Sequence, residues 1–161
     1  MSDTITIRPA SRDDVPLVLE FIRDLARYEH LEHEVTASEA QLRDALFGER
    51  RYAEVVFACS GGGPVGFALF FHNFSTFLGK PGIYLEDLFV RPQARGLGLG
   101  RRLLAWLART TLERGGARLD WAVLDWNAPS IGFYRSLGAV PLDEWTTFRM
   151  SGAALEALAR G

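Results

Sequence analysis

Glu86 and Asp87 stand side by side in the apolar run Tyr84-Leu85-Glu86-Asp87-Leu88-Phe89-Val90, and the glycine-rich stretch Arg95-Gly96-Leu97-Gly98-Leu99-Gly100-Arg101 follows soon after. A carboxylate in apolar surroundings resists ionisation, which makes it a better proton acceptor for a group as basic as an amine. Glycines let a backbone approach a ligand closely. The free N–H groups at a helix start, with the positive end of its dipole, attract phosphate or pyrophosphate. Together these residues offer a proton acceptor beside a cradle for a phosphorylated cofactor. The plainer alternatives are an acidic pair that keeps an edge strand soluble and a glycine turn that holds nothing.

The glycine spacing narrows the ligand. A dinucleotide site requires G-x-G-x-x-G early in a parallel βαβ unit, and here Arg101 occupies the third glycine position. A phosphate loop of the Walker type requires Lys followed by Ser or Thr, whereas this turn runs into Arg101-Arg102-Leu103. The remaining pattern, Arg95-x-x-Gly98-x-Gly100, resembles the acetyl-CoA signature of the GNAT superfamily of N-acetyltransferases, whose turn amides bind the CoA pyrophosphate.

Acetyl transfer to an amine, which that resemblance implies, sets four tasks: to deprotonate an ammonium, to place the free amine against a thioester, to stabilise an oxyanion and to protonate a thiolate. Strict strand alternation puts Tyr84, Glu86, Leu88 and Val90 on one face and Leu85, Asp87 and Phe89 on the other, so Glu86 is read as the buried base. Asp87 is assigned a different role, at a subunit boundary. Tyr134, in Asn127-Ala128-Pro129-Ser130-Ile131-Gly132-Phe133-Tyr134, is the candidate acid, because a phenol of pKa about 10 stays protonated at neutral pH and can supply a thiolate. Its plainer reading is a half-buried aromatic with an ordinary hydrogen bond. A backbone N–H between Leu88 and Val90, where the sheet would splay, is the expected oxyanion donor. His30 and His33 lack a third ligand and no metal is assigned; His72, in an aromatic strand, reads as a packed or substrate-lining ring. Neither a Ser-His-Asp nor a Cys-His arrangement is apparent, which disfavours an acyl-enzyme.

These side chains need a scaffold. Thr4 to Arg8 alternates and stops at Pro9, a short strand. Ser11 with Asp14 caps a helix whose apolar face is Val15, Val18, Leu19, Ile22, Leu25 and Ala26 and which reaches Tyr28. Thr36 with Glu39 caps a second helix, closed by Gly48 in a left-handed conformation. Strands are expected over Tyr52 to Ser60, Val65 to Asn73 and Ile83 to Val90, the first two joined at Gly61-Gly62-Gly63-Pro64. A helix from Arg101 to Arg114, a strand from Arg118 to Leu124, a helix from Pro129 to Leu137, a last strand from Glu144 to Met150 and a terminal helix from Ala153 to Arg160 complete the order. That order argues for an α+β fold with a mixed, mostly antiparallel sheet flanked by helices, in a single domain over 1–161, and it matches the GNAT arrangement.

With 161 residues, 48% of them hydrophobic and 24% charged, the chain can bury one sizeable core. A net charge of −2 removes the general electrostatic case for nucleic acid or an anionic membrane, and a small-molecule amine is the better-suited partner. Cys59, the only cysteine, reads as a buried core thiol. There is no long apolar segment, and Met1-Ser2-Asp3-Thr4 lacks the start of a secretion signal, so the expected compartment is the cytoplasm.

Over nearly its whole length the chain resembles one GNAT branch, the spermidine/spermine and thialysine N-acetyltransferases. The marks are Ile7-Arg8-Pro9-Ala10, Leu25-Ala26-Arg27-Tyr28-Glu29, the run from Tyr84 to Val90, the turn from Arg95 to Gly100, and Trp126-Asn127 leading into Phe133-Tyr134. The resemblance implies that Leu88, Phe89 and Val90, the stretch from Arg95 through Gly96, Leu97, Gly98, Leu99 and Gly100 to Arg101, and Asn127, Ala128, Pro129 and Ser130 contact acetyl-CoA. It implies that Tyr28, Glu29 and Glu86 line the amine site, that Tyr134 is the acid, and that the protein is a homodimer. Polyamine acetylators of the branch place a carboxylate after the third strand, where this chain has Phe74-Ser75-Thr76-Phe77-Leu78-Gly79-Lys80. That loop and Ala122 to Asn127 are more similar to the thialysine members, so a thialysine- or lysine-like amino acid is the expected acceptor. A polyamine is the alternative, and a non-catalytic CoA-binding module is the alternative of another class.

Overall fold

The computed structural model describes residues 4–161, so Met1 to Asp3, part of the stretch read for a leader, lie outside the described residues. The chain forms two compact units, one up to Ala122 and the other Val123–Gly161. The first holds β1 (Thr6–Pro9), α1 (Val15–Tyr28), α2 (Glu39–Phe47), β2 (Glu54–Ser60), β3 (Gly63–Ser75), β4 (Lys80–Val90), α3 (Leu99–Glu113) and β5 (Leu119–Trp121). The second holds α4 (Ala128–Ser136) and α5 (Gly152–Ala159).

Among the described residues the strands make one sheet in the order β1-β2-β3-β4-β5, antiparallel except for the parallel β4–β5 pair. The crossover through α3 is what makes that last pair parallel, because a strand that returns by a helix re-enters in the same direction. The β2–β3 hairpin turns at Gly61 and Gly62, whose φ of 62° and 89° give the handedness that matches strand twist.

The alternation of β2 and β3 divides the sheet into two apolar faces. Val55, Phe57 and Phe67 pack with Val18 and Phe21 of α1 and Leu46 of α2, with the Phe21 and Phe67 rings stacked at 5.2 Å. On the other face Phe70 meets Trp106 of α3 edge-on at 5.8 Å, and Leu99, Leu103 and Leu107 are fully buried. Burying an aliphatic or aromatic side chain contributes about 1.5–3 kcal/mol, so these two layers hold the sheet that carries the site.

Several expected boundaries move. Arg12–Asp14 is a 3-10 turn, so α1 starts one turn after its cap, although Ser11 N–H does donate to Asp14 Oδ2 at 2.7 Å. The cap of α2 is Ser38 with Gln41, not Thr36 with Glu39. Gly48 is extended, with φ of −75°; what favours glycine there is crowding, since a Cβ would meet Asp44 O at 2.4 Å. Cys59 is half-buried at the β1–β2 pairing rather than sealed in the core. The expected strand from Glu144 to Met150 does not form, and Trp145, Phe148 and Met150 are exposed. A β-prone segment becomes a strand only where an edge pairs with it, and local sequence does not supply that edge.

Candidate active site

The site begins with an irregularity in β4. Leu69 of β3 faces Asp87 and the next residue, Phe70, faces Leu85, so Glu86 is the extra residue of a β-bulge. A bulge resets alternation. Directly paired residues share a face, so Tyr84 (opposite Phe71), Asp87 (opposite Leu69) and Phe89 (opposite Phe67) lie on the α1 face, while Leu85 (opposite Phe70) turns to the α3 face. The expectation of a buried Glu86 and a segregated Asp87 is thereby reversed. Glu86 is exposed, and Asp87 is the half-buried carboxyl. Burial, with the Glu86 and Glu29 carboxylates adding repulsion, pushes Asp87 up to about 7.

Glu29 and Tyr28 reach this place from the C-terminal end of α1. Glu29 is also raised above the usual carboxylate range by burial, and its seat at a helix C-terminus places like charge against the dipole. The Tyr28 ring lies 6.2 Å from that of Phe89. The half-buried Glu29 and the exposed Glu86 next to a half-protonated Asp87 make a patch suited to a cation.

The bulge also marks where the sheet opens. β5 pairs with β4 only from Ile83 to Leu85, while β4 runs on to Val90. Arg91 N–H donates to Val65 O at 2.8 Å, so Arg91 and Phe89 direct their backbone groups at β3. Alternation then turns the N–H and C=O groups of Leu88 and Val90 toward the edge that β5 has left. Of the three residues expected to meet a cofactor here, Leu88 and Val90 present backbone to the opening. Phe89 does not: its ring is in the core.

Beyond the opening, Gly96 and Gly98 have φ of 84° and 74°, and Gly98 is the N-cap of α3. A Cβ at either would meet nothing within 4 Å, so the turn is bare on the side where a ligand would approach. Arg102 N–H closes the first helical turn on Gly98 O at 3.1 Å. The N–H groups of Leu99, Gly100 and Arg101 precede any intrahelical acceptor. This arrangement fits a pyrophosphate. Leu97 is exposed beside it, whereas the Leu99 side chain is buried under the helix.

Arg95 behaves differently from the turn it begins. Its Nε donates to Val90 O at 3.1 Å, and its guanidinium lies over Tyr28 at 5.0 Å and Phe89 at 5.5 Å. It thereby lines, with Asp24, Arg27, Tyr28, Phe89 and Arg91, a cleft of about 390 Å³ between α1 and the segment after β4. The sequence did not signal this cleft, because its residues come from two segments far apart in the chain.

In the second unit, Asn127 Oδ1 accepts the Ser130 N–H at 3.3 Å and so caps α4, with Ala128 and Pro129 in its first turn. Tyr134 is half-buried on α4, its ring 5.7 Å from that of Phe133. His72 is exposed, with Nε2 3.3 Å from Arg114 Nη1, and His33 pairs with Glu34 at 3.3 Å. No cluster of three or more metal-ligating side chains occurs among the described residues.

An open-edged mixed sheet, a helix started by glycines and an acidic patch beside the opening define an acyl-transferring enzyme that takes a phosphate-bearing donor and a cationic acceptor. The model of the acetyltransferase (GNAT) family matches residues 18–139. The thialysine N-ε-acetyltransferase of Bos taurus is 39% identical over 166 residues, covering 96% of this chain and 97% of that protein. The L-ornithine N5-acetyltransferase of Arabidopsis thaliana is 30% identical, covering 94% and 86%. An integron cassette protein from the mobile metagenome of V. cholerae superposes with a TM-score of 0.82 at 28% identity, covering 100% and 99%. The chain belongs to the GNAT family, and its reaction is acetyl transfer to an amine. No helix among the described residues is long and apolar enough to cross a membrane.

Proposed function

We propose that this chain, acting as one catalytic domain over 1–161, transfers acetyl from acetyl-CoA to the side-chain amine of a thialysine- or lysine-like amino acid. The observation that carries the reading is the half-buried Asp87 at the β4 bulge, next to the open edge at Leu88 and Val90. An alkylammonium has a pKa of about 10, so a carboxylate poised near 7 accepts its proton far better than one near 4, directly or through a water. Glu29, the exposed Glu86 and Tyr28 surround the ammonium and draw it in. The N–H groups of Leu88 and Val90 polarise the thioester carbonyl. Gly96 to Arg101 hold the donor's pyrophosphate, and Asn127 to Ser130 line its pantetheine and nucleotide side.

The ammonium gives one proton to Asp87, the amine nitrogen bonds to the acetyl carbon, the carbon–sulfur bond breaks as the Tyr134 hydroxyl proton passes to the thiolate, and the second proton shed by the nitrogen as the amide forms restores the Tyr134 hydroxyl. Support for the amino-acid acceptor comes from the relatives' names and from the β3–β4 turn, Thr76 to Gly79, which carries no carboxylate and exposes Phe77 fully. The cytoplasm is the proposed compartment.

Thiol release from acetyl-CoA, measured with thialysine, lysine, spermidine and no amine, tests the reading. Preference for thialysine supports it, preference for spermidine replaces the acceptor class, and acetyl-CoA binding without release points to a non-catalytic module. Tyr134→Phe is expected to lower turnover about 100-fold while sparing acetyl-CoA affinity.

A further inference from the structure

This inference rests on the amine acceptor proposed above and concerns the end of that molecule remote from the reacting nitrogen. We propose that Asp120 of β5, held in place by Asn73 of β3, binds a second ammonium on the acceptor and so selects amines whose two cationic nitrogens are a lysine side chain apart.

Asp120 joins the site through the sheet. Tyr84 and Asp87 lie on the α1 face of β4 on either side of the bulge, and Asp120 is the register partner of Tyr84 on β5. Asn73 is on that same face, two residues beyond Phe71, and its Nδ2 donates to Asp120 Oδ2 at 3.1 Å. Asn73 is paired with Gly82, so its amide reaches β5 by crossing the one position of β4 that has no side chain. A Cβ on Gly82 would lie 2.5 Å from Asn73 Oδ1. The amide fixes the carboxylate without neutralising it. Among the half-buried carboxylates of the unit up to Ala122, Asp14, Asp24 and Glu54 are each paired with an arginine. Glu29, Asp87 and Asp120 are in no ion pair among the described residues, and the first two already belong to the amine site. A half-buried carboxylate held in position with no cation is suited to one brought by a ligand.

The spacing suits the ligand. The step from Asp87 to Tyr84 along one face of β4 is ~7 Å and the neighbouring strand lies ~5 Å away, which sets the Cα atoms of Asp87 and Asp120 ~8 Å apart. In an extended lysine or thialysine six bonds of about 1.5 Å separate the side-chain nitrogen from the α-nitrogen, a span of ~7 Å. One nitrogen thus meets Asp87 as the other meets Asp120. The stacked rings of Phe71 and Tyr84, 5.3 Å apart on the same face, give the atoms between them an apolar wall. An amine with no second cation leaves the Asp120 charge desolvated and unpaired, which discriminates against it as the new contact favours a dication.

The test compares kcat/KM for lysine, 1,5-diaminopentane and 5-aminopentan-1-ol in the wild type, in Asp120→Asn and in Asn73→Ala. The third amine keeps the length of the second and replaces its distal ammonium by a hydroxyl. The wild type is expected to prefer the first two about tenfold or more over the alcohol. Asp120→Asn, which still offers an oxygen to the Asn73 amide, is expected to bring that preference close to one, and Asn73→Ala, which frees the carboxylate but keeps its charge, to give a value in between. Equal use of the three amines by the wild type overturns the inference without any variant and leaves amine acetylation standing. So does a preference for lysine alone, because the acceptor's carboxylate would then be what is read. An undiminished preference in Asp120→Asn also overturns it and gives the second ammonium to Glu29 or Glu86, and an equal fall for all three amines overturns it as well. Thiol release with none of the three overturns the acceptor class and this inference with it. Melting temperatures separate these outcomes from a folding defect; if Asp120→Asn melts well below the wild type, Asn73→Ala decides, and an undiminished preference there overturns the inference.

Discussion

Asp87 sets folding against function. Its carboxyl titrates at about 7 in the folded protein and near 4 in the unfolded chain. Between those values the native state holds a proton the unfolded chain has released, so stability falls as pH rises through that window, and the loss is complete above 7. Asp87→Asn is therefore expected to raise the melting temperature at pH 8 and leave it unchanged near pH 4, as read by thermal unfolding at the two pH values. Where Asp87 is the base, as proposed above, the same substitution should abolish a rise of kcat/KM through about pH 7 and lower the rate about 100-fold. Asp14 has the opposite sign. Its bond to Arg8, 2.8 Å, holds it down to about 2, and that contribution is present above about pH 4 and lost as pH falls toward 2.

At the scale of elements, β4 and the start of α3 position everything else. The β4–β5 pair is short, and close packing at Gly82 fixes where it begins: a Cβ there would lie 2.5 Å from Asn73 Oδ1 and 2.8 Å from Arg118 O. Gly98 has open space and a left-handed backbone instead. Two alanine substitutions should therefore fail differently. Gly82→Ala is expected to lower the melting temperature by several degrees, since one backbone neighbour must move. Gly98→Ala should cost only about 1–2 kcal/mol of conformational strain while raising the KM for acetyl-CoA. Thermal unfolding and initial-rate kinetics on the same preparations distinguish the two.

At the scale of the whole molecule, the second unit, from Val123 on, carries several apolar side chains in water. Val140, Leu142, Trp145 and Phe148 are all more than half exposed, Phe148 at 92%. Where such side chains form one contiguous patch they mark an association site. We propose a homodimer that covers part of it. Static light scattering at micromolar concentration should give twice the chain mass, and Trp145→Ser with Phe148→Ser should shift the population toward the monomer; a wild type of single-chain mass would remove the proposal.

Motifs whose meaning is local were legible in the sequence: the glycine turn before a helix, the amphipathic α1 and the hairpin at Gly61-Gly62. Each depends on neighbours a few positions away, where spacing and backbone preference act directly. Which of Glu86 and Asp87 is buried was not legible, because a single extra residue in one strand is revealed only by its pairing partner, and that residue reverses every side chain on one side of it. The missing strand at Glu144 to Met150 and the arginine cleft have the same cause, since pairing edges and clefts are made by segments distant in the chain. The amino-acid sequence thus determined the family, the reaction and the chemical inventory. Tertiary structure decided which of the two adjacent carboxyls is half-buried and raised in pKa, because burial is a property of packed neighbours rather than of residue type.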